Sequence, residues 1–411
     1  MGSTMIGEII ARNRAGHGGG LPGWCTAHPE TLAAILHGYQ GDRAPILIEA
    51  TCNQVNPSGG YTGLTPAGFV ALVHGIARTE GVDPARLILG GDHLGPNPWK
   101  SEPAAQAMAR AREMVAAYAA AGFTKIHLDA SMACGGEALS EAEMAARAAD
   151  LCAAAEATRP GVLHYVIGTE VPVPGGETVH RDQLAVTAPA AARRTHALHR
   201  AAFAARGLDA AFARVIGVVV QPGVDFGNAQ VMAYDRARAA ALAAAAPGLD
   251  GPLFEAHSTD YQSEAALSAL VQDHFAILKV GPELTFAFRQ AVLALERLES
   301  LMALPPSGVT RALLAAMRAR PADWRAYVPP GPEEERMMLF GLSDRVRYYW
   351  PDPGVQAALA RLLAALNGAD PPPGLLAQVG GGPVDADATP GGLIRRMVGA
   401  VVRRYRTATG A

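Results

Sequence analysis

The sequence lacks a strong charge of either sign, is poor in aromatic residues and has no long apolar run at its amino terminus. The formal net charge of the 411 residues is -3, and aromatic residues make up 6% of them. No basic stripe with interleaved aromatic side chains is present, so we expect no nucleic-acid partner. The first residues are too polar for a signal peptide or a membrane-spanning helix, so we expect no membrane association.

Cysteine is also scarce. The four cysteines are Cys25, Cys52, Cys134 and Cys152, and no two of them have C-x-x-C spacing. So few cysteines in so long a chain do not indicate a disulfide framework. We therefore expect a reducing, cytoplasmic setting.

Nucleotide-binding motifs are missing as well. No G-x-G-x-x-G follows the first predicted strand, which counts against a dinucleotide site. The sequence contains neither a Walker loop nor a kinase-type glycine-rich loop, so it does not support a sugar-phosphate kinase.

Eight short apolar runs alternate with helical patterns along the first two thirds of the chain. Half of all residues are hydrophobic, enough for a large core. Strands that alternate with helices indicate a parallel sheet, and eight such units predict a closed (β/α)8 TIM barrel, with an open doubly wound sheet as the main competitor. The predicted strands are Leu21–Thr26, Ile46–Thr51, Leu87–His93, Lys125–Ser131, His164–Glu170, Val215–Pro222, Leu253–Ser258 and Ala276–Gly281.

The rest of the chain is predicted to be helical. We place a barrel domain at residues 1–284 and a helical extension at residues 285–411, which would pack on the barrel or form an oligomer interface. Thr65, just before Pro66, is expected to cap the second barrel helix, and Ser307 is expected to cap a helix of the extension. Three consecutive prolines, Pro371 to Pro373, indicate a linker before a basic terminal helix.

Polar side chains end several of the predicted strands. The third strand reads Leu-Ile-Leu-Gly-Gly-Asp-His and ends in Asp92 and His93, at the edge where parallel barrels build their active sites. Buried charged groups are rare unless they are paired or bound to metal. A metal ion together with a polyhydroxylated substrate would explain them. The other strand-end residues are Glu49, Asn53, Gln54, His127, Asp129, Ser131, Glu170, Gln221, His257, Asp260 and Lys279.

We predict a divalent metal ion, Zn²⁺ or Mn²⁺, held by His93, Glu170, Gln221 and His257, because nitrogen and oxygen ligands from separate strands suit these ions. Other roles remain open: His257 as a core histidine, Glu170 as the partner of an arginine and Gln221 as a loop cap. His127 is expected to be packed or hydrogen-bonded rather than ligating.

Acid–base chemistry is assigned to carboxylates near that metal. The candidates are Asp92 and Asp129, with Glu49 behind them. Asp129 has an alternative role, the support of a ligating histidine. Tyr61 lies in the glycine-rich segment 59–63, which either closes over a ligand or is simply a flexible loop.

Several long motifs resemble one known family. These are residues 48–51 with 53–56, 59–63, 90–97, 125–129, 255–262 and 343–351. They look like the so-called non-catalytic subunit of class II D-tagatose-1,6-bisphosphate aldolase and its relatives that epimerise ketoses or ketouronates at C4. The resemblance implies a class II aldolase-like barrel that uses a divalent metal.

The sequence also departs from true class II aldolases. Gln221 stands where such an aldolase has a histidine, and Ser258-Thr259-Asp260 replaces its Gly-Gly-Ser-Gly phosphate cradle. An anionic aspartate is a poor substitute for backbone N–H donors, which disfavours cleavage of a bisphosphate. Arg345 and Arg347 would restore a phosphate site if the tail folds over the barrel mouth. The predicted substrate-binding residues are Glu49, Asn53, Gln54, Tyr61, Ser131, Asp260, Lys279, Arg345 and Arg347.

The expected activity is inversion of C4 of a ketose by retro-aldol cleavage and re-addition, because the C4 hydrogen is not acidic enough for direct abstraction. The substrate would be a fructose/tagatose-type ketose, its 6-phosphate or a ketouronate. The alternative is a non-catalytic subunit that stabilises a class II aldolase. A homo-oligomer or a complex with a catalytic aldolase subunit would be the corresponding assembly.

Overall fold

The computed structural model describes residues 2–171, 184–382 and 387–411, and its centre is a closed barrel of eight parallel strands. Around the barrel the order is β1, β2, β3, β4, β5, β6, β9 and β10, which pairs again with β1. The predicted TIM barrel is confirmed. The strands are β1 (Leu21–Cys25), β2 (Ile46–Thr51), β3 (Leu87–Leu94), β4 (Lys125–Leu128), β5 (His164–Ile167), β6 (Val215–Val220), β7 (Asp225–Phe226), β8 (Val231–Met232), β9 (Leu253–Ala256) and β10 (Phe275–Val280).

Helices follow the barrel strands and continue to the end of the chain. They are α1 (Gly2–Arg14), α2 (Pro29–His37), α3 (Pro66–Thr79), α4 (Ala104–Ala121), α5 (Glu141–Thr158), α6 (Pro189–Ala204), α7 (Asp209–Phe212), α8 (Arg236–Ala243), α9 (Glu264–Gln272), α10 (Pro282–Leu301), α11 (Val309–Ala319), α12 (Glu334–Phe340), α13 (Pro353–Ala369), α14 (Pro373–Gly380) and α15 (Pro390–Thr409). The sequence patterns gave no bounds for α1, α7, α8, α9, α12 or α14, nor for the small antiparallel hairpin β7–β8. None of the helices in the described ranges is both long and apolar enough to cross a membrane.

Helix caps agree with the sequence at one predicted position and differ at another. The Thr65 side chain accepts a hydrogen bond from the Gly68 backbone N–H, as a capping residue does. The prediction for Ser307 was wrong, because α11 is preceded by Gly308 in a left-handed conformation. The Ser307 hydroxyl instead donates to the buried carboxylate of Glu299, 3.0 Å away.

The last helix completes the ring of helices around the barrel. α15 packs against α2, which follows the first barrel strand, and against α9, which follows the seventh, so it takes the place of the eighth barrel helix. α10 packs against α15. The proposed domain boundary after Leu284 lies inside α10. The carboxyl-terminal segment is therefore part of the barrel wall as well as a cover for its mouth, and the division of the chain into two domains stays a prediction.

Candidate active site

A cavity lies at the carboxyl ends of the barrel strands and opens to solvent. This is the edge at which TIM-barrel enzymes place their active sites. The barrel strands and their loops supply most of its wall, and the short turn 345–348 of the carboxyl-terminal segment supplies the rest. The lining residues are Cys25, Thr51, Asn53, Gln54, Tyr61, Asp92, His93, Phe226, His257, Ser258, Asp260, Lys279, Val280, Gly281, Pro282, Thr285, Arg347 and Tyr348.

Three histidines and an aspartate form a compact group at the floor of this cavity. Asp92, His93, His127 and His257 each offer one ligand atom, and these four atoms all lie within 4.8 Å of one another. The ring centroids of the three histidines are 4.8 to 5.2 Å apart. All four side chains are buried. A cluster of imidazole nitrogens with one carboxylate is a donor set that suits Zn²⁺ and similar divalent ions.

His93 follows directly after Asp92 at the end of β3 and has a left-handed backbone, with a φ of 50°. Its Nδ1 lies 2.8 Å from the carboxylate of Asp129, which also accepts hydrogen bonds from the hydroxyl and backbone N–H of Ser131. With a metal ion in the cluster, Nδ1 would keep its proton for Asp129 and Nε2 would present its lone pair to the ion. Although burial opposes it, the hydrogen bond from His93 lowers the pKa of Asp129 and keeps this group a carboxylate.

His257 is oriented in the same way, by a carboxylate behind it. Its Nε2 lies 2.8 Å from Oε1 of Glu255, two residues earlier on β9. Burial lowers the pKa of His257 to about 4, so the ring is neutral at pH 7. Nε2 donates its proton to Glu255 and Nδ1 is left as the ligand atom. A carboxylate that orients a histidine in this way is typical of histidines that bind metal.

His127 provides the third nitrogen. Its Nδ1 lies 3.1 Å from Oδ1 of Asp92, and its Nε2 is buried with no hydrogen-bond partner among the described residues. A buried polar atom without a partner is costly, and a metal ion in the cluster would satisfy it. We expected His127 only to pack or to form hydrogen bonds, but the structure places it in the group that could hold an ion.

A network of buried ion pairs lies behind the cluster. The Lys125 ammonium contacts Glu49 at 3.0 Å and Glu255 at 2.8 Å. Lys279 contacts Glu49 at 2.6 Å and Asp92 at 3.1 Å, so the network joins His257 to Asp92. Although burial raises it, Lys279 and the neighbouring histidines hold the pKa of Asp92 well below its usual range.

The formal charge of this network favours a cation. With neutral imidazoles, two lysines face four buried carboxylates, which are those of Glu49, Asp92, Asp129 and Glu255. Buried charges are normally compensated, and a divalent ion would balance the two excess negative charges.

Glycines make room for Glu49 inside the barrel. A Cβ atom on Gly23 would lie 2.7 Å from Oε1 of Glu49, and one on Gly90 would lie 2.7 Å from its Cγ. No side chain fits at either position. The Glu49 side chain therefore fits inside the barrel only because the neighbouring strands have glycine at these two positions.

The structure does not bring Glu170 or Gln221 into the histidine cluster. Glu170 accepts a hydrogen bond from the hydroxyl of Thr187 at 2.6 Å. The side-chain oxygen of Gln221 accepts the backbone N–H groups of Gly223 and Val224, so Gln221 caps its own loop. That loop cap is the alternative role expected for Gln221.

The predicted substrate-binding residues have several different surroundings. Asn53, Gln54, Tyr61, Asp260, Lys279 and Arg347 line the cavity. Glu49 lies in the buried network, and Ser131 holds Asp129. Arg345 does not line the cavity, because its guanidinium lies over the rings of Tyr327 and Tyr348 and its Nε donates to the carbonyl of Asp323.

The predicted site residues did not include Lys125, Glu255, Cys25 or Tyr348, although the family motifs contain all of these except Cys25. One signal could have found Lys125: the chain has only three lysines, and two of them, Lys125 and Lys279, stand in apolar strand segments. Cys25 lies with its Sγ 3.4 Å from Asp92 at the cavity wall. Tyr348 stands in the motif 343–351, next to the predicted residue Arg347, and its ring lines the cavity.

A family model described as D-tagatose-1,6-bisphosphate aldolase subunit GatZ/KbaZ-like matches residues 6–410. The chain belongs to the GatZ/KbaZ-like family. It is 46% identical over 420 residues to a protein of Agrobacterium fabrum named D-tagatose 6-phosphate 4-epimerase, covering 99% of both chains. It is equally similar, at 46% over 417 residues, to the D-tagatose-1,6-bisphosphate aldolase subunit GatZ of Salmonella newport, covering 97% of this chain and 98% of that one.

A solved structure supports the same family relationship. The crystal structure of a probable tagatose 6 phosphate kinase from Sinorhizobium meliloti 1021 superposes with a TM-score of 0.87 and 46% identity. The match covers 95% of this chain and 100% of that chain. The similar proteins thus carry names for three different roles.

Proposed function

We propose that this chain is a metal-dependent epimerase that inverts C4 of a fructose/tagatose-type ketose, free, 6-phosphorylated or oxidised to a ketouronate. The observation that carries this proposal is the buried group of Asp92, His93, His127 and His257 in the cavity at the barrel mouth. Such a group, with two histidines oriented by carboxylates, is expensive to bury and has no use in a purely structural barrel.

The ion would be held by imidazole nitrogens of His93, His127 and His257, in place of the set that included Glu170 and Gln221. Three neutral imidazoles leave coordination positions open for a substrate. A bound Zn²⁺ or Mn²⁺ would supply Lewis-acid chemistry, polarising the substrate carbonyl and lowering the pKa of neighbouring hydroxyl groups.

The residues of the chain account for the remaining chemistry. The carboxylate of Asp92 accepts the proton of the C4 hydroxyl, the C3–C4 bond breaks and its electron pair moves toward the C2 carbonyl to give an enediolate. The C4 carbon becomes an aldehyde, which turns its other face to the enediolate. The C3–C4 bond then re-forms, and Asp92 returns the proton to the C4 oxygen. Lys279, 3.1 Å from Asp92, keeps this aspartate ionised between turnovers.

The second candidate is a subunit that stabilises a class II aldolase and has no chemistry of its own. The 46% identity to a protein named as a GatZ subunit favours it. The kinase named for the Sinorhizobium protein has no support here, since this chain has no Walker loop. Whichever of these roles the protein has, its four free cysteines support a reducing compartment such as the cytoplasm.

The experiment is to incubate the purified protein, with Mn²⁺ present and no aldolase added, with one sugar at a time. The sugars are D-fructose, D-tagatose, their 6-phosphates and D-tagaturonate, and the products are separated by chromatography. We expect one C4 epimer to form, its formation to stop when a chelator removes the metal, and Mn²⁺ or Zn²⁺ to restore it. Full activity of metal-free protein would overturn the metal-dependent mechanism. No product from any ketose, together with a longer half-life of a class II aldolase in its presence, would favour the subunit.

A further inference from the structure

Arg347 is a cation at the cavity wall, and no carboxylate of the described residues forms an ion pair with it. Its Nη1 donates to the backbone carbonyls of Ser343 and Asp344, and its Nη2 donates to the hydroxyl of Tyr348. Across the described ranges it forms no ion pair, and its Nε–H bonds to no residue there. Lys279, the other cation of the cavity wall, is ion-paired with Glu49 and Asp92. A partly buried charge without a counter-charge indicates an anionic ligand.

The place where a TIM barrel commonly binds phosphate is closed in this chain. That place is formed by the loops after the last two strands and the start of a following helix. Here the carboxyl group of Asp260 accepts the backbone N–H groups of Gly281 at 3.0 Å and Glu283 at 2.8 Å. The carboxyl group of Asp260 therefore occupies the backbone N–H groups at the start of α10, so an anionic ligand must bind elsewhere.

We propose that Arg347 forms the subsite for the phosphate of a ketose 6-phosphate, on the carboxyl-terminal side of the cavity rather than at the start of α10. This inference rests on the proposed function, since it names the substrate class of the same site. A phosphate offers several acceptor oxygens to the free N–H groups of Arg347, and arginine is the residue that binds phosphate with a fixed geometry.

The turn that carries Arg347 is held rigidly, as a preformed subsite requires. Asp344 is completely buried and accepts hydrogen bonds from Arg289 at 2.6 Å and Thr285 at 2.5 Å. It has a left-handed backbone, with a φ of 43°, which starts the turn 345–348. The ring of Tyr348 packs 4.6 Å from that of Tyr61, which closes the wall beside Arg347. The guanidinium is thus fixed over the cavity before any ligand arrives.

The test compares wild type with Arg347→Gln and Arg347→Lys, and uses Arg336→Gln as the control because Arg336 is an exposed arginine in α12. We measure kcat/KM for D-tagatose 6-phosphate, D-tagatose and D-tagaturonate. Arg347→Gln is expected to lower kcat/KM for the phosphorylated ketose about 10- to 100-fold and to change that for the free ketose about 3-fold or less. Arg347→Lys is expected to retain part of the preference for phosphate. The control is expected to change neither.

Binding separates this inference from the proposed function. Calorimetric titration of the metal-loaded proteins with inorganic phosphate and with D-tagatose 6-phosphate measures binding affinity and requires no turnover. Weaker binding of both by Arg347→Gln supports the subsite even if no ketose is epimerised, and only the proposed activity would then fail. Equal losses of kcat/KM for free and phosphorylated ketose, a loss confined to D-tagaturonate, or unchanged phosphate binding would each overturn the subsite.

Discussion

Nδ1 of His93 lies 2.8 Å from the carboxylate of Asp129, and the hydrogen bond between them turns Nε2 of His93 toward His257 and His127. Asp129 was one of two carboxylates with a predicted catalytic role. Because its oxygens are engaged by His93 and Ser131, the geometry favours its alternative role as the support of a ligating histidine. Asp92, which lines the cavity, is the better candidate for the base.

The first prediction concerns Asp129. Asp129→Asn removes the charge that fixes the protonation and orientation of His93, so we expect metal affinity and turnover to fall about 10- to 100-fold. Metal content after dialysis against a graded chelator measures the first quantity, and product formation at saturating Mn²⁺ measures the second. Asp150→Asn, at a partly exposed surface ion pair, is the matched control. Unchanged metal content would show that Asp129 does not support a ligand.

The second prediction separates two ligand sets. His127→Ala is expected to abolish stoichiometric metal binding, because it removes one nitrogen of the cluster. Gln221→Ala is expected to leave metal content unchanged and to lower stability by only about 1 kcal/mol, since the Gln221 oxygen bonds its own loop. Elemental analysis of the two purified variants measures metal content. The opposite pattern, with metal lost from Gln221→Ala alone, would restore the ligand set expected from the sequence.

The third prediction concerns the buried network. Lys125→Met leaves Glu49 and Glu255 without the cation between them, and we expect the free energy of unfolding to fall by about 3 to 5 kcal/mol. Denaturant unfolding measures this quantity. The matched control is Lys100→Met, because Lys100 is an exposed lysine. A loss no larger than that of the control would mean that the network does not stabilise the barrel.

The fourth prediction is a pH dependence of stability. Burial against Phe288 lowers the pKa of His28 to about 3, whereas an unfolded histidine titrates near pH 6.5. Between these values the unfolded chain binds the extra proton, so stability falls as pH falls. Because His28 is partly exposed, we expect a loss of about 1 kcal/mol between pH 7 and pH 5.

Urea unfolding at both pH values tests this contribution. The difference between pH 7 and pH 5 should shrink by that amount in His28→Phe and stay as in wild type in His37→Phe, which alters an exposed histidine. An identical pH dependence in wild type and His28→Phe would contradict the prediction.

The cavity shows how much of a site local sequence patterns predict. Asp92 and His93 were found because they end an apolar strand, and the end of a parallel strand is a place the sequence can specify. Glu170 and Gln221 follow strands in the same way, yet their oxygens bond to Thr187 and to the Gln221 loop. Position along a strand tells which end of the barrel a residue occupies, but not which way its side chain turns.

The sequence alone predicted the eight-strand barrel, the family and the edge of the barrel at which polar side chains gather. Alternating apolar runs and helical patterns are local, and each strand needs only its own residues to be recognised. Only the tertiary structure shows that His127 joins the cluster, that Lys125 links Glu49 to Glu255, and that of the two predicted arginines Arg347 lines the cavity and Arg345 does not. These are contacts between residues far apart in the chain. They depend on barrel closure and side-chain packing, which no local pattern encodes.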